Sequence, residues 1–147
     1  MRAAGVRRIG GAIETLELPE PRAPRPDEVL IEVRAAGVGN WDEYVRDGSW
    51  DVGIRPPMAL GVEAAGVVTA AGESVREITV GALVATYSAP LREQGSWAAA
   101  FIAPAGDVAL VPPARRALRR AGHRDRQRPP EGGTCQAGWR GSGRELP

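Results

Sequence analysis

Lysine is absent from the 147 residues, and all 19 basic side chains are arginine. With the abundance of Ala, Gly and Pro, that bias points to a GC-rich coding sequence. A single cysteine excludes an internal disulfide and agrees with a cytoplasmic location. No apolar run approaches the roughly 20 residues that a membrane-crossing helix needs. The opening MRAAGVRRIGG has no long apolar segment, so no secretory signal is expected there. The length leaves room for one domain with a modest core.

The net charge of +1 hides two unlike parts. Residues 1–114 carry 10 arginines and 15 acidic residues, whereas residues 115–147 carry 9 arginines and 3 acidic residues. Such asymmetry fits a nucleic-acid-binding tail, or two parts that were not selected together. In the tail the arginines are scattered among Pro and Gly, and Trp139 alone offers stacking. A solvated, irregular segment is therefore expected there, without nucleic-acid binding.

The body is rich in strand signals. IETLELPEP alternates Ile13, Leu16 and Leu18 with polar residues and stops at Pro19 and Pro21. PDEVLIEVRAAGV places Val29, Ile31 and Val33 inward, with Glu28, Glu32 and Arg34 outward. GVEAAGVVTAAGESV reads as a small-residue strand, with Gly61 and Gly66 where backbone approaches backbone or bends. ALVATYSAP and SWAAAFIAPAGDVALVPP supply three further short strands. Only residues 40–48, NWDEYVRDG, read as a helix, with Asn40 able to cap it and Gly48 able to end it. Many short strands and one helix indicate a mainly β barrel or sandwich.

Four segments carry a resemblance. PDEVLIEVRAAGV is similar to "GEVLVRVRAAGV", and GNWDEYVRDG to "NPVDWYIRSG". LGVEAAGVVTAAGESVREITVGALV is similar to "PGHEVAGVVEAVGPGVTRFKVGDRV", and GSWAAAFIAPAGDVALVPP to "GAYAEYVVVPADRLVPLP". In this order they resemble the N-terminal, GroES-like domain of the medium-chain dehydrogenase/reductase superfamily, particularly its zinc-independent quinone oxidoreductase branch. The resemblance implies a GroES-like β-barrel over residues 1–113, with residues 114–147 as an irregular tail. It also implies an alcohol dehydrogenase-like oxidoreductase using NADP(H) or NAD(H), with a small-molecule quinone or enone as substrate and no membrane partner.

Zinc-dependent members have a Cys before the short helix and a His before the Glu, and those places resemble Gly39 and Val62. The body contains neither Cys nor His, since His123 and Cys135 both lie in the tail. The expectation is therefore a site without metal. By the same resemblance Asn40, Trp41, Asp42, Tyr44 and Glu63 are the contacts at the substrate and cofactor edge. Asp42, Tyr44 and Arg46 match the family pattern, while the family's Asn position holds Gly39, with Asn40 shifted by one. Trp41 can stack on a flat acceptor or anchor the helix to the barrel. Glu63, among small apolar residues, can be an active-site acid or a structural carboxylate tying a loop.

Relatives continue into a Rossmann domain with a glycine-rich pyrophosphate turn. Here no G-x-G-x-x-G follows a predicted strand, so no tight NAD(P)H binding is expected of this chain. Back-translating GHRDRQRPPEGGTCQAGWRG and reading one base later permits GIVTASALRKAARVKPGGE. That peptide is similar to the family's "GIVTLTALQALRAAKVKPGESVLV", so the tail is expected to be out-of-frame sequence and the chain inactive alone. Apolar surface left uncovered would favour self-association or a homo-oligomer. The alternative is a non-catalytic GroES-like interaction module with a basic tail. That would need a mobile apolar loop, and SAPLREQGS, residues 88–96, is the segment in its place.

Overall fold

Among the described residues, alternating burial along short strands builds one sheet of five strands and one of three. The computed structural model describes residues 1–112. In chain order the elements are β1 (Arg2–Val6), β2 (Glu14–Glu17), β3 (Glu28–Ala36), α1 (Asn40–Asp47), β4 (Met58–Ala59), β5 (Glu63–Ala71), β6 (Leu83–Tyr87), β7 (Ala100–Pro104) and β8 (Val108–Leu110). The smaller sheet has the order β2-β1-β4 and the larger β7-β3-β5-β6-β8, with every pairing antiparallel. An isolated bridge, Ala3 to Ala98, joins the first strand to the segment before β7. Among the described residues this is the mainly β, curled-sheet architecture with one α-helix expected of a GroES-like domain; a single 3-10 turn, Ala105–Asp107, precedes β8. The expected tail, residues 114–147, lies outside the described residues.

The core follows from the alternation. Val29, Ile31, Val68, Val84 and Phe101 are each at most 1 % exposed. Each such side chain contributes roughly 1.5–3 kcal/mol by leaving water. Two register shifts in β3, between Leu30 and Ile31 and between Val33 and Ala35, curl the long β3–β5 pair. Gly66 is needed there, because a Cβ would stand 2.0 Å from the Glu32 carbonyl oxygen.

Three local expectations are corrected. Glu28 does not face outward but is 1 % exposed, because Arg22 reaches over it with bonds of 2.6 and 3.1 Å and the Arg25 amide donates at 2.9 Å. Ile13 lies outside β2 and is 50 % exposed, whereas Leu16 and Leu18 are buried as expected. Gly39, not Asn40, is the helix N-cap, and Asn40 is the first helical residue. Two elements, β1 and β4, are short and carry no alternation long enough to read.

Across the outer face of the larger sheet, Ala35, Ala65, Ala85 and Ala109 stand in register on four successive strands. The next row pairs Val67 with Leu83, whose carbonyl accepts the Val111 amide at 2.9 Å. The outer face of β5 and β6 thus carries Ala65, Val67, Leu83 and Ala85 as an apolar strip, with Glu63, Thr69 and Tyr87 at its ends.

Candidate active site

The helix that carries most of the expected contacts is specified locally. Gly39 is extended (φ −137°, ψ 174°), and its amide donates to Oδ2 of Asp42 at 2.8 Å, satisfying a donor that the first turn would leave free. Asp42 and Glu43 lie in the first turn and Arg46 in the last, the charge order that a helix dipole favours. Gly48 ends the helix with φ +86°, which a glycine adopts at little cost. Val45 and Asp42 form the buried face, and Asn40, Trp41 and Tyr44 are exposed. Arg46 chelates Glu43 through two bonds of 2.6 Å and donates to the Gly11 carbonyl at 2.8 Å, tying the helix to the β1–β2 connection.

Trp41 packs against the N-cap of its own helix. Its indole lies against Gly39 so closely that a Cβ at residue 39 would stand 2.3 Å from the ring atom Cε2. A side chain at residue 39 and the observed Trp41 orientation are mutually exclusive, and Asn40 is an exposed first helical residue.

Glu63 opens β5 immediately after the turn at Gly61 (φ +91°). Its backbone carbonyl accepts the Ser96 hydroxyl at 2.6 Å and the Gly37 amide at 3.3 Å. Trp97 Nε1 in turn donates to the Gly37 carbonyl at 2.8 Å. The half-buried Glu63 carboxylate rests on Gly37, where a Cβ would stand 2.0 Å from Oε2, and among the described residues it takes part in no hydrogen bond. It borders an open depression of about 520 Å³, floored by Ala65 and Ala85 and edged by Tyr87 and Asp107. Tyr87 stands opposite Glu63 in register, and Asp107 accepts the Ser88 hydroxyl at 3.0 Å.

The depression takes in Glu63 but none of the four α1 residues. What joins the helix to Glu63 is the backbone of residues 37–39. Tyr87, Asp107, Ser96 and Trp97 were not legible as members of this neighbourhood, because only strand register and the fold of residues 88–97 bring them there.

Asp42 faces inward and is 3 % exposed. Burial pushes its carboxyl pKa up, and the backbone N–H groups of Gly39 and Gly61 oppose that shift. Among the described residues Asp42 Oδ1 has no hydrogen-bond partner. Among the described residues no three His, Cys, Asp or Glu side chains are grouped to hold a metal ion. Position 39 has no side chain, and Val62 is a buried apolar residue, so neither can donate to zinc. No described helix is long and apolar enough to cross a membrane.

This neighbourhood has known relatives. The chain is 35% identical over 74 residues to alcohol dehydrogenase 1 of Emericella nidulans, covering 50% of this chain and 21% of that protein. It is 37% identical over 78 residues to a probable zinc-binding alcohol dehydrogenase of Mycobacterium tuberculosis, covering 53% and 20%. Among solved structures, the Escherichia coli quinone oxidoreductase complexed with NADPH superposes with a TM-score of 0.66 at 28% identity, covering 76% of this chain and 33% of that one. The chain thus spans about a fifth of these curated relatives and about a third of the solved structure. Residues 25–113, more than half of the chain, match the alcohol dehydrogenase GroES-like domain. On that match and those relatives, the chain belongs to the alcohol dehydrogenase GroES-like domain family of the medium-chain dehydrogenase/reductase superfamily.

Proposed function

We propose that residues 1–113 form the substrate-side domain of a zinc-independent, NAD(P)H-dependent oxidoreductase acting on a quinone or enone, and that this chain alone does not turn over. The observation that carries the metal-free reading is the pair Gly39 and Val62, which put no donor atom where zinc-bearing relatives have ligands. The likeness to an NADPH-complexed quinone oxidoreductase supports the substrate class and the cofactor.

In this reading NAD(P)H, when bound, supplies the hydride, and reduction of a quinone-like acceptor asks little acid–base chemistry of the protein. The exposed rings of Trp41 and Tyr44 offer flat apolar surface for the acceptor, and Asn40 adds an exposed amide at the helix start. Glu63 edges the depression, which takes in none of these α1 residues and is joined to the helix through the backbone of residues 37–39. Residues 114–147 are in this reading out-of-frame sequence. A cytoplasmic location fits the single cysteine.

The test is steady-state NADPH oxidation by the purified chain with 1,4-naphthoquinone as acceptor, together with metal analysis. No turnover above the protein-free control, with substoichiometric zinc, is expected. NADPH-dependent naphthoquinone reduction by this chain would refute its inactivity, and one bound zinc per chain would refute the metal-free reading. The interaction-module alternative is disfavoured by its own loop. Residues 88–96 are tied down by Leu91 N to Val52 O at 2.8 Å and by the Gln94 side chain accepting the Ala59 amide at 2.8 Å.

A further inference from the structure

Trp97 is held on both sides of its own backbone. Its amide donates to the Leu60 carbonyl at 2.8 Å, and its carbonyl accepts the Ala4 amide at 2.7 Å. Its indole then reaches two glycines beside Glu63. At Gly61, two residues before Glu63, a Cβ would collide with the ring atom Cδ1, so the indole lies on bare backbone. At Gly37, Trp97 Nε1 donates to the carbonyl at 2.8 Å. The Gly37 amide donates to the Glu63 carbonyl at 3.3 Å, and the hydroxyl of the fully buried Ser96 donates to the same oxygen at 2.6 Å. The Glu63 side chain fills the room that a Cβ on Gly37 would take, with its own Cβ 3.0 Å from that place. Each link from Trp97 to the Glu63 carboxylate is a hydrogen bond or a packing contact.

We infer that Trp97 is a positioning residue: by fixing Gly37 it holds the Glu63 carboxylate at the edge of the depression, where that carboxylate selects a flat ring bearing a hydroxyl. The positioning stands on the geometry, whereas the ligand class rests on the proposed function above. Among the described residues nothing donates to this carboxylate, so in the free chain water serves it. A ligand lying on the floor of Ala65 and Ala85 displaces that water at a cost unless it brings a donor of its own. The carbonyl oxygens of a quinone only accept, whereas the hydroxyls of the hydroquinone donate. The depression therefore favours the reduced, hydroxyl-bearing ring over the quinone. It favours an anionic ring least, because Glu63 and Asp107 both border it.

NMR on the full chain tests this with three probes. 2-Naphthol carries the hydroxyl, 2-methoxynaphthalene is the same ring without the donor, and naphthalene-2-sulfonate is the anion. In the native chain a nuclear Overhauser contact should join the Glu63 γ protons to the Gly37 α protons. 2-Naphthol should shift the Ala65 and Ala85 methyl resonances and bind about tenfold more tightly than its methyl ether, the gain from one hydrogen bond to a charged group. The sulfonate should leave both methyls unmoved. Trp97→Phe keeps an aromatic ring but loses the N–H, so the Glu63–Gly37 contact and the preference should both be lost while the Ile31 amide stays protected. Retention of either one in Trp97→Phe would overturn the inference. Should that variant not fold, the native chain decides. An absent Glu63–Gly37 contact, or a Trp97 indole N–H that exchanges as fast as that of the exposed Trp41, would overturn it equally. Adding 1,4-naphthoquinone separates the two readings. If the quinone leaves the Ala65 and Ala85 methyls unmoved while 2-naphthol keeps its preference, the proposed substrate class fails and the positioning stands. If the quinone moves them and 2-naphthol binds the native chain no better than its ether, the inference fails and the proposed substrate class stands.

Discussion

Trp97 Nε1 donates to the Gly37 carbonyl across 2.8 Å and 60 residues of chain. The turn before α1 is thereby held from the loop before β7, and Glu63 rests on the same glycine. Glycine at residue 37 and at residue 66 serves different obstacles, which makes the two separable. At Gly66 an added Cβ meets the Glu32 carbonyl at 2.0 Å, an atom that cannot move without parting β3 from β5. Gly66→Ala should cost more than about 3 kcal/mol in urea unfolding, the range of severe core substitutions. At Gly37 the obstacle is a side chain, Glu63, with Oε2 at 2.0 Å and Cβ at 3.0 Å. Gly37→Ala should cost about 1 kcal/mol or less while displacing Glu63, visible as changed Glu63 side-chain resonances. Equal costs at the two positions would contradict this division.

Glu28 and Arg22 predict acid sensitivity. The Arg22 guanidinium holds the buried Glu28 carboxyl below its ordinary pKa, with help from the Arg25 amide and against the effect of burial. A pKa lowered by folding means that the unfolded chain binds the proton more readily. The stabilisation is present above the unfolded pKa near 4.5 and is lost as pH falls through the folded value. Glu28→Gln should flatten the stability profile below that pH. Glu28→Ala should cost about 3 kcal/mol at neutral pH by leaving Arg22 unpaired. A native profile that stays flat between about pH 6 and about pH 3, a window set by the ordinary carboxylate range, would count against the pair.

The outer sheet face predicts self-association. Leu83 is 44 %, Tyr87 52 % and Val111 36 % exposed beside the alanine row. Sedimentation should show mass increasing with concentration, and Leu83→Glu should reduce that increase without changing the circular dichroism. A monomer at all concentrations would show that this face does not self-associate.

The reading of residues 114–147 is checked at the DNA. Sequencing across codons 105 to 147 and downstream should reveal a one-base shift that opens GIVTxxAL, then KPG, then a glycine-rich turn. If the frame stands as given, the out-of-frame reading is wrong and the Arg-rich segment belongs to the protein.

Local pattern along the chain was enough to establish the fold class, the existence of helix α1 with its end at Gly48, and the burial of Val29, Ile31 and Leu16. These follow from alternation, turn residues and a C-terminal glycine, all of which act within a few residues of chain. Composition was likewise enough to show that residues 1–112 offer neither Cys nor His to a metal. Glu28 is buried for a reason no local pattern carries, because Arg22 folds back over it from outside the strand. Tertiary packing turned Asp42 inward and put the Trp41 ring where any side chain at residue 39 would have stood. Register, set by pairing across β5 and β6, placed Tyr87 opposite Glu63. A strand's period names the face on which a side chain stands, whereas its neighbours there are chosen by contacts made dozens of residues away.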